Sequence, residues 1–258
     1  MSVQTHGDVR LWTGRAPDTA AAGDVALLDE LEQRRFEKYR DPVTAAHYAG
    51  ARAAIRRTVA RWHSVRPTEV VWGRGRCPGC GSDRHGPPLI RAPRTDWRVN
   101  TSRSGAWWML ALSHSVPVGV DIEYRRPVAV PAVVRRCLGA EERAYVAAEP
   151  EGPARDEALM RCWVRKEAVV KGWGIGLGTD LARLAVRPDR PVAVLERTRA
   201  QGAAARELWV VQDVPAGADC LAALARPAGP SAPLVVQPPE SGVWRGDDTA
   251  VSKGPGAG

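Results

Sequence analysis

Lysine is nearly absent from this chain. Of its 37 basic residues only four are lysines, Lys38, Lys166, Lys171 and Lys253, so almost all positive charge is carried by arginine. Long apolar runs are also missing. No stretch approaches the ~20 residues needed to span a bilayer, and Met1 to Trp12 holds no apolar core of a secretion signal. These absences predict a soluble, cytoplasmic chain with no membrane partner. Five cysteines, an odd number, without a secretory signal, predict free thiols and not a disulfide framework. The formal charge of +8 favours acidic partners. No RNP-like, helix-turn-helix or complete zinc-finger pattern accompanies it, so nucleic acid is not the expected one. No G-x-S-x-G elbow is present. Ser113 and His114 are adjacent and cannot easily face each other, which argues against a serine hydrolase. No internal repeat is visible.

What is present concentrates in two short stretches. From Glu157 to Lys171 there is neither proline nor glycine, and Leu159, Met160, Trp163, Val164, Val169 and Val170 recur at helical spacing. Gly172, Gly174, Gly176 and Gly178 then end the predicted helix. Trp163, Glu167 and Lys171 are each four apart and share a face. A Glu four residues before a Lys is a common exposed pair, so alone this motif reads as a solvated helix face. The second stretch, Val118 to Glu123, alternates as a half-buried strand and puts Asp121 and Glu123 on one face, roughly 6–7 Å apart. Two such carboxylates repel. They face water, or they share a cation, and hard oxygens at this spacing suit Mg²⁺.

Together, Gly119-Val120-Asp121-Ile122-Glu123 and the W-x-x-K-E-A-x-x-K-x-x-G run from Trp163 to Gly174 resemble the signature of the 4′-phosphopantetheinyl transferase superfamily, in its longer, surfactin-synthetase-activating type. The resemblance covers most of residues 30–225 and is specific in the two motifs. It implies an α+β fold, a pseudo-dimer of two similar α+β halves with the active site in the cleft between them. The halves would be residues 1–115, with the coenzyme A contacts, and residues 116–227, with the metal site; residues 228–258, rich in Pro, Gly and Ser, are expected to be a disordered tail. The implied reaction moves phosphopantetheine from coenzyme A to a serine of an acyl or peptidyl carrier protein and releases adenosine 3′,5′-bisphosphate. The implied metal ligands are Asp121, Glu123 and Glu167, for Mg²⁺. Glu167, Lys166 and Lys171 are the implied catalytic groups, with Glu167 or Lys166 taking the serine proton. Arg34, Lys38, His47, Ser102, Arg103, Asp121 and Lys171 are the implied coenzyme A contacts. Half of the four lysines fall in this motif, which suggests that a compact ammonium is wanted there. A monomer is expected.

Three positions depart from the family pattern. His47 stands where an arginine usually meets the nucleotide. Gly86-Pro87-Pro88 replaces a Gly-basic-Pro turn. Arg103 replaces the histidine of an N-x-S-H-S-G phosphate loop, and is itself a good phosphate partner. Two alternatives therefore stay open: an Mg²⁺ enzyme of the same fold acting on another diphosphate substrate, and a non-catalytic module that binds carrier proteins.

The remaining chain reads as follows. Val9 to Trp12 is a short strand. Residues 24–65 are helical with an interruption at Asp41-Pro42, and Arg52, Arg56, Arg57 and Arg61 there are either solvated or aimed at phosphates. Cys77-Pro78-Gly79-Cys80 with His85 looks like half a zinc knuckle without a fourth ligand, so a metal is not expected. Trp107 to Leu112 is a strand, with His114 a turn residue beyond it. Residues 130–148 form one or two helices, with Arg125, Arg126, Arg135 and Arg136 either solvated or a patch for an acidic carrier protein. Residues 184–187, 192–195, 208–211 and 220–225 read as antiparallel strands.

Overall fold

The structure, a computed structural model, describes residues 8–125, 136–176, 179–197, 206–229 and 234–236. Four layers stack on one another. The first is helix α3 (Pro42–Trp62), following the short helices α1 (Ala22–Val25) and α2 (Glu30–Phe36). Helix α3 starts where sequence signals place it: Asp41 accepts from the Thr44 N–H at 2.8 Å, and Pro42 occupies the first turn. Its alanine-rich face, with Ile55 and Val59, packs on Trp12, Val99, Trp108, Leu110 and Leu112.

Those residues belong to the second layer, a sheet ordered β10-β1-β5-β4. It is built from β1 (Val9–Arg15), β4 (Trp97–Ser104), β5 (Trp107–His114) and β10 (Leu234–Val236). The opposite face of this sheet gives Val9, Leu11, Met109 and Ala111 to a core shared with Val120, Ile122, Ala222 and Leu224. The latter four come from the third layer, an antiparallel sheet ordered β6-β9-β8-β7. Its strands are β6 (Gly119–Tyr124), β7 (Val192–Arg197), β8 (Glu207–Asp213) and β9 (Cys220–Pro227). Helix α5 (Pro153–Trp173) covers the outer face of this sheet through Val164, Ala168, Val169 and Val170, against Trp209, Val211 and Ala223. Helix α4 (Ala140–Ala148) packs beside α5 through Val146, Leu159 and Cys162. Between the first helices and β4, strands β2 (Val71–Arg74) and β3 (Pro88–Ala92) pair as a hairpin with a long loop, residues 75–87. No described helix is long and apolar enough to cross a membrane.

Two readings from sequence need correction. Residues 184–187 are not a strand. A 3-10 turn at Leu181–Arg183 leads into them, and side chains take their backbone groups: Leu184 O accepts from Lys166, Val186 O from Arg165 at 3.2 Å, and Val186 N–H donates to Glu142 at 3.0 Å. Asn100 to Ser104 is the end of strand β4 and not a phosphate loop. Within the tail expected to be disordered, Leu234–Val236 pairs in parallel with Val9–Leu11 on β1. Part of the expected 130–148 helix, and Arg126 and Arg135, lie outside the described residues.

Candidate active site

Strand β6 is bonded to β4 through side chains, across the boundary between the two sheets. Three alternate residues of β4 contribute. Asn100 Oδ1 accepts from the Val120 N–H at 3.1 Å, the Ser102 hydroxyl donates to Asp121 Oδ1 at 2.6 Å, and the Ser104 hydroxyl donates to Glu123 Oε2 at 2.5 Å. On its other side β6 touches the backbone of α5. A Cβ on Gly119 would lie 1.9 Å from Ala168 O and 2.3 Å from Gly172 N, so only glycine permits this approach. The close approach brings Asp121 beside the Trp163–Glu167–Lys171 face of the helix.

Lys171 Nζ lies 2.6 Å from Asp121 Oδ1 and 3.0 Å from Ser102 Oγ. The other Asp121 oxygen, Oδ2, and Glu167 Oε1 are buried without a hydrogen-bond partner. Burial, reinforced by the Asp121 charge and opposed by Lys171, pushes the Glu167 carboxyl up to about 7. Glu123 is also raised, chiefly by burial and further by Asp121, against hydrogen bonds from Ser104 and the Trp163 indole and the charge of Lys171. One ammonium thus faces three crowded carboxylates.

The donor set is all hard oxygen, with two oxygens unsatisfied, which fits a hard divalent cation such as Mg²⁺. The three acids are not drawn into a tight trio. Among the described residues only Cys77, Cys80 and His85 bring three ligand atoms within 4.8 Å of one another. The acids suit an ion that keeps several waters and takes one or two carboxylates directly, as Mg²⁺ usually does.

A cavity of about 990 Å³ opens beside Lys171. Its walls come from the 75–87 loop (Pro78, Cys80, Pro87), from β4 (Arg98, Asn100) and from the end of α5 (Lys171, Gly172, Gly174), with Arg197 among the lining cations. Three cations and a run of apolar surface on one cavity suit a ligand that is anionic at one end and apolar along its length.

Comparison with known proteins agrees with the motifs. A sequence model of the 4′-phosphopantetheinyl transferase superfamily matches residues 117–221, the segment that holds β6 and α5. The chain is 28% identical to the phosphopantetheinyl transferase of Thraustochytrium sp. over 68% of this chain and 63% of that one. It is 28% identical to the 4′-phosphopantetheinyl transferase of Bacillus subtilis over 52% and 54%, and 22% identical to the 4′-phosphopantetheinyl transferase HetI of Nostoc sp. over 81% and 82%. Over these shares the chain is similar to 4′-phosphopantetheinyl transferases. It is an enzyme of the phosphopantetheinyl transferase type.

Of the residues expected at a phosphopantetheinyl transferase site, Asp121, Glu123, Glu167, Lys171 and Ser102 come together. Lys166 does not join them. One position along the helix from Glu167 turns it about 100° away, into the core, where it is fully buried. Its ammonium lies 2.7 Å from Glu142 Oε2 and 2.7 Å from Leu181 O, and also donates to Leu184 O. Burial lowers its pKa, opposed by Glu142. Its three donors are spent on holding α4, α5 and the 181–186 segment together.

Of the expected coenzyme A contacts near α2 and α3, Arg34, His47 and Arg103 have partners within the chain and Lys38 is exposed. Arg34 pairs with Glu30 at 2.5 Å on an exposed helix turn, and Lys38 is exposed beyond it. His47 Nε2 lies 2.8 Å from Asp18 Oδ1. Arg103 donates to Gly105 O at 3.1 Å and the Tyr39 hydroxyl at 3.3 Å, with its guanidinium over the Tyr48 ring. Arg52 and Arg56 both pair with Glu32, and Arg57 with Asp24 at 2.6 Å, so these arginines are neither solvated nor free.

Sequence reasoning missed Ser104 and Asn100 as supports of the site, and Arg98 and Arg197 as cavity cations. Alternation along Asn100-Thr101-Ser102-Arg103-Ser104, three polar side chains on one face of a strand, was the available signal for the first two. Nothing local marks Arg98 or Arg197 among so many arginines.

Proposed function

We propose that this chain transfers the 4′-phosphopantetheine group of coenzyme A to a serine of an acyl or peptidyl carrier protein, releasing adenosine 3′,5′-bisphosphate. The observation that carries this reading is the pair of unpartnered carboxylate oxygens, on Asp121 and Glu167, beside an ammonium that borders a cation-lined cavity. In this reading the layer pair of α3 with its sheet and the layer pair of α5 with its sheet are the two similar halves, and coenzyme A occupies the cleft between them. All the groups come from one chain, so a monomer suffices.

Magnesium bound by Asp121, Glu123 and Glu167 with water would neutralise charge on the pyrophosphate and on the departing bisphosphate. Lys171 holds the leaving phosphate, because its ammonium borders the cavity while remaining anchored to Asp121 and Ser102. Arg98 and Arg197 take the remaining phosphates of coenzyme A. The carrier serine oxygen forms the new bond to the phosphorus that carries pantetheine, and the bond from that phosphorus to the bisphosphate breaks. Glu167 accepts the serine proton. A carboxyl held near 7 suits that task. Direct contact with a cation would lower its basicity, so Glu167 serves mainly one of its two roles. Ser102 and Ser104 position Asp121 and Glu123. Lys166, spent in the core, is structural.

A second reading keeps the metal chemistry and changes the substrate to another diphosphate. It is favoured by Pro87, which lines the cavity where the family pattern has a basic residue. Titration calorimetry with coenzyme A, with and without Mg²⁺, separates the two. Mg²⁺-dependent binding that is lost in Lys171→Ala supports coenzyme A as the donor. Absence of coenzyme A binding in the presence of Mg²⁺ favours the second reading.

A further inference from the structure

Cys77, Cys80 and His85 lie on the 75–87 loop and take no part in the acidic site. In sequence Cys77, Cys80 and His85 lack a fourth ligand. In the folded chain the loop returns and brings His85 to the two cysteines. All three ligand atoms lie within 4.8 Å of one another, and Cys80 Sγ is 3.2 Å from His85 Nε2.

The loop is wound around the first cysteine. The Cys77 N–H donates to Ser82 O at 2.7 Å, and the Gly81 N–H donates to Cys77 O at 2.8 Å, a turn that Gly81 closes at φ +75°. The backbone N–H groups of Cys80 and Gly79 donate to the Cys77 sulfur. Amide donors aimed at sulfur favour the thiolate, which is the form that binds metal. The loop has almost no core of its own: of residues 75–87 only Cys77 and Gly86 are buried. A loop of this length without apolar burial gains its order from some other tie.

We propose that Cys77, Cys80 and His85 bind one zinc ion through two thiolates and an imidazole. The fourth tetrahedral position opens to solvent, on the side where Cys80 and His85 are exposed. Soft sulfur with imidazole selects zinc over the hard cations suited to the acidic site. The ion has a structural role. It fixes a loop whose Pro78, Gly79, Cys80 and Pro87 wall the cavity and abut the end of α5, where a Cβ on Gly174 would lie 3.2 Å from Pro87 and 3.3 Å from Pro78. The zinc assignment stands whether or not coenzyme A is the occupant of that cavity.

The test uses the full chain, purified under reducing conditions without chelator. Elemental analysis should find about one zinc per chain. After the zinc is stripped, added Co²⁺ should give a sulfur-to-cobalt charge-transfer band and the intense visible bands of a tetrahedral site. Cys80→Ser should lose the charge-transfer intensity of one sulfur, and His85→Ala should weaken metal affinity about ten-fold or more. Both side chains are exposed, and circular dichroism checks that each variant folds. Asp121→Asn should keep the charge-transfer band, because a cation on carboxylates produces none. No zinc in the purified chain together with no charge-transfer band on adding Co²⁺ would overturn the proposal. So would a band unchanged in Cys80→Ser, or a Cys77–Cys80 disulfide in the reduced protein.

Discussion

Asp121 uses one carboxylate oxygen for Lys171 and Ser102 and leaves the other, buried, without a partner. Glu167 leaves one oxygen in the same condition and is held at about 7. An unfolded Glu titrates near 4.5, so the folded chain binds this proton more tightly than the unfolded one. The resulting stabilisation is complete below the unfolded value and is lost as pH rises through about 7. Glu123, shifted in the same direction, adds to the effect. In chelator, the wild-type melting midpoint should therefore fall from pH 5 to pH 8, by on the order of 2–3 kcal/mol of stability from Glu167. Glu167→Gln should flatten much of that fall, and Mg²⁺ should raise the wild-type midpoint at pH 8. An equally steep fall in Glu167→Gln would remove burial of this carboxyl as its cause.

The two motif lysines separate at the same scale. Lys166→Ala leaves Glu142 buried and unpaired and should cost roughly 3–5 kcal/mol in chemical denaturation. Lys171→Ala removes a part-exposed ammonium and leaves Asp121 the Ser102 hydroxyl, so it should cost less than Lys166→Ala, about 1–2 kcal/mol, while abolishing donor binding. Similar stability losses in the two variants would contradict the separation. The family resemblance put both motif lysines at the acids. Four-residue spacing put Lys171 on the Glu167 face and implied that Lys166 lies off it, but a partner twenty-four positions upstream, Glu142, becomes visible only when α4 packs on α5.

At the scale of elements, the site depends on how near β6 comes to α5. Gly119 lies against Ala168 O and Gly172 N, and a Cβ on Gly172 would lie 2.6 Å from the Trp209 ring. Gly119→Ala should force strand and helix apart, destabilise the chain by about 2–4 kcal/mol and displace Asp121 from Lys171. The check is a melting curve beside Mg²⁺-dependent coenzyme A binding, and an unchanged value of both would contradict this account of the glycine. Helix α5 and strand β6 were legible because periodicity and glycine termination are local properties of the chain. Residues 184–187 were not legible, because their strand-like pattern reflects burial of Leu184 and Val186 in the core that holds Trp209, and Glu142, Arg165 and Lys166 from two helices replace the ladder bonds. Arg52, Arg56 and Arg57 of α3 were undecided for the same reason, since their partners Asp24, Asp29 and Glu32 belong to the preceding helical segments. His85 meets Cys80 only when the 75–87 loop closes, which spacing alone did not foretell.

Across the whole molecule, two sheets share one core, and each has a long helix on its outer face. The acidic site lies where β4 of one sheet bonds β6 of the other, so its geometry depends on both. The central claim is that this junction catalyses transfer of phosphopantetheine. Intact mass spectrometry of purified apo carrier proteins, incubated with coenzyme A, Mg²⁺ and the enzyme, tests it most directly. The account predicts that a carrier protein gains the mass of one phosphopantetheine on its serine, and that Asp121→Ala, still folded, gives no such gain. Transfer by Asp121→Ala at the wild-type rate would contradict it.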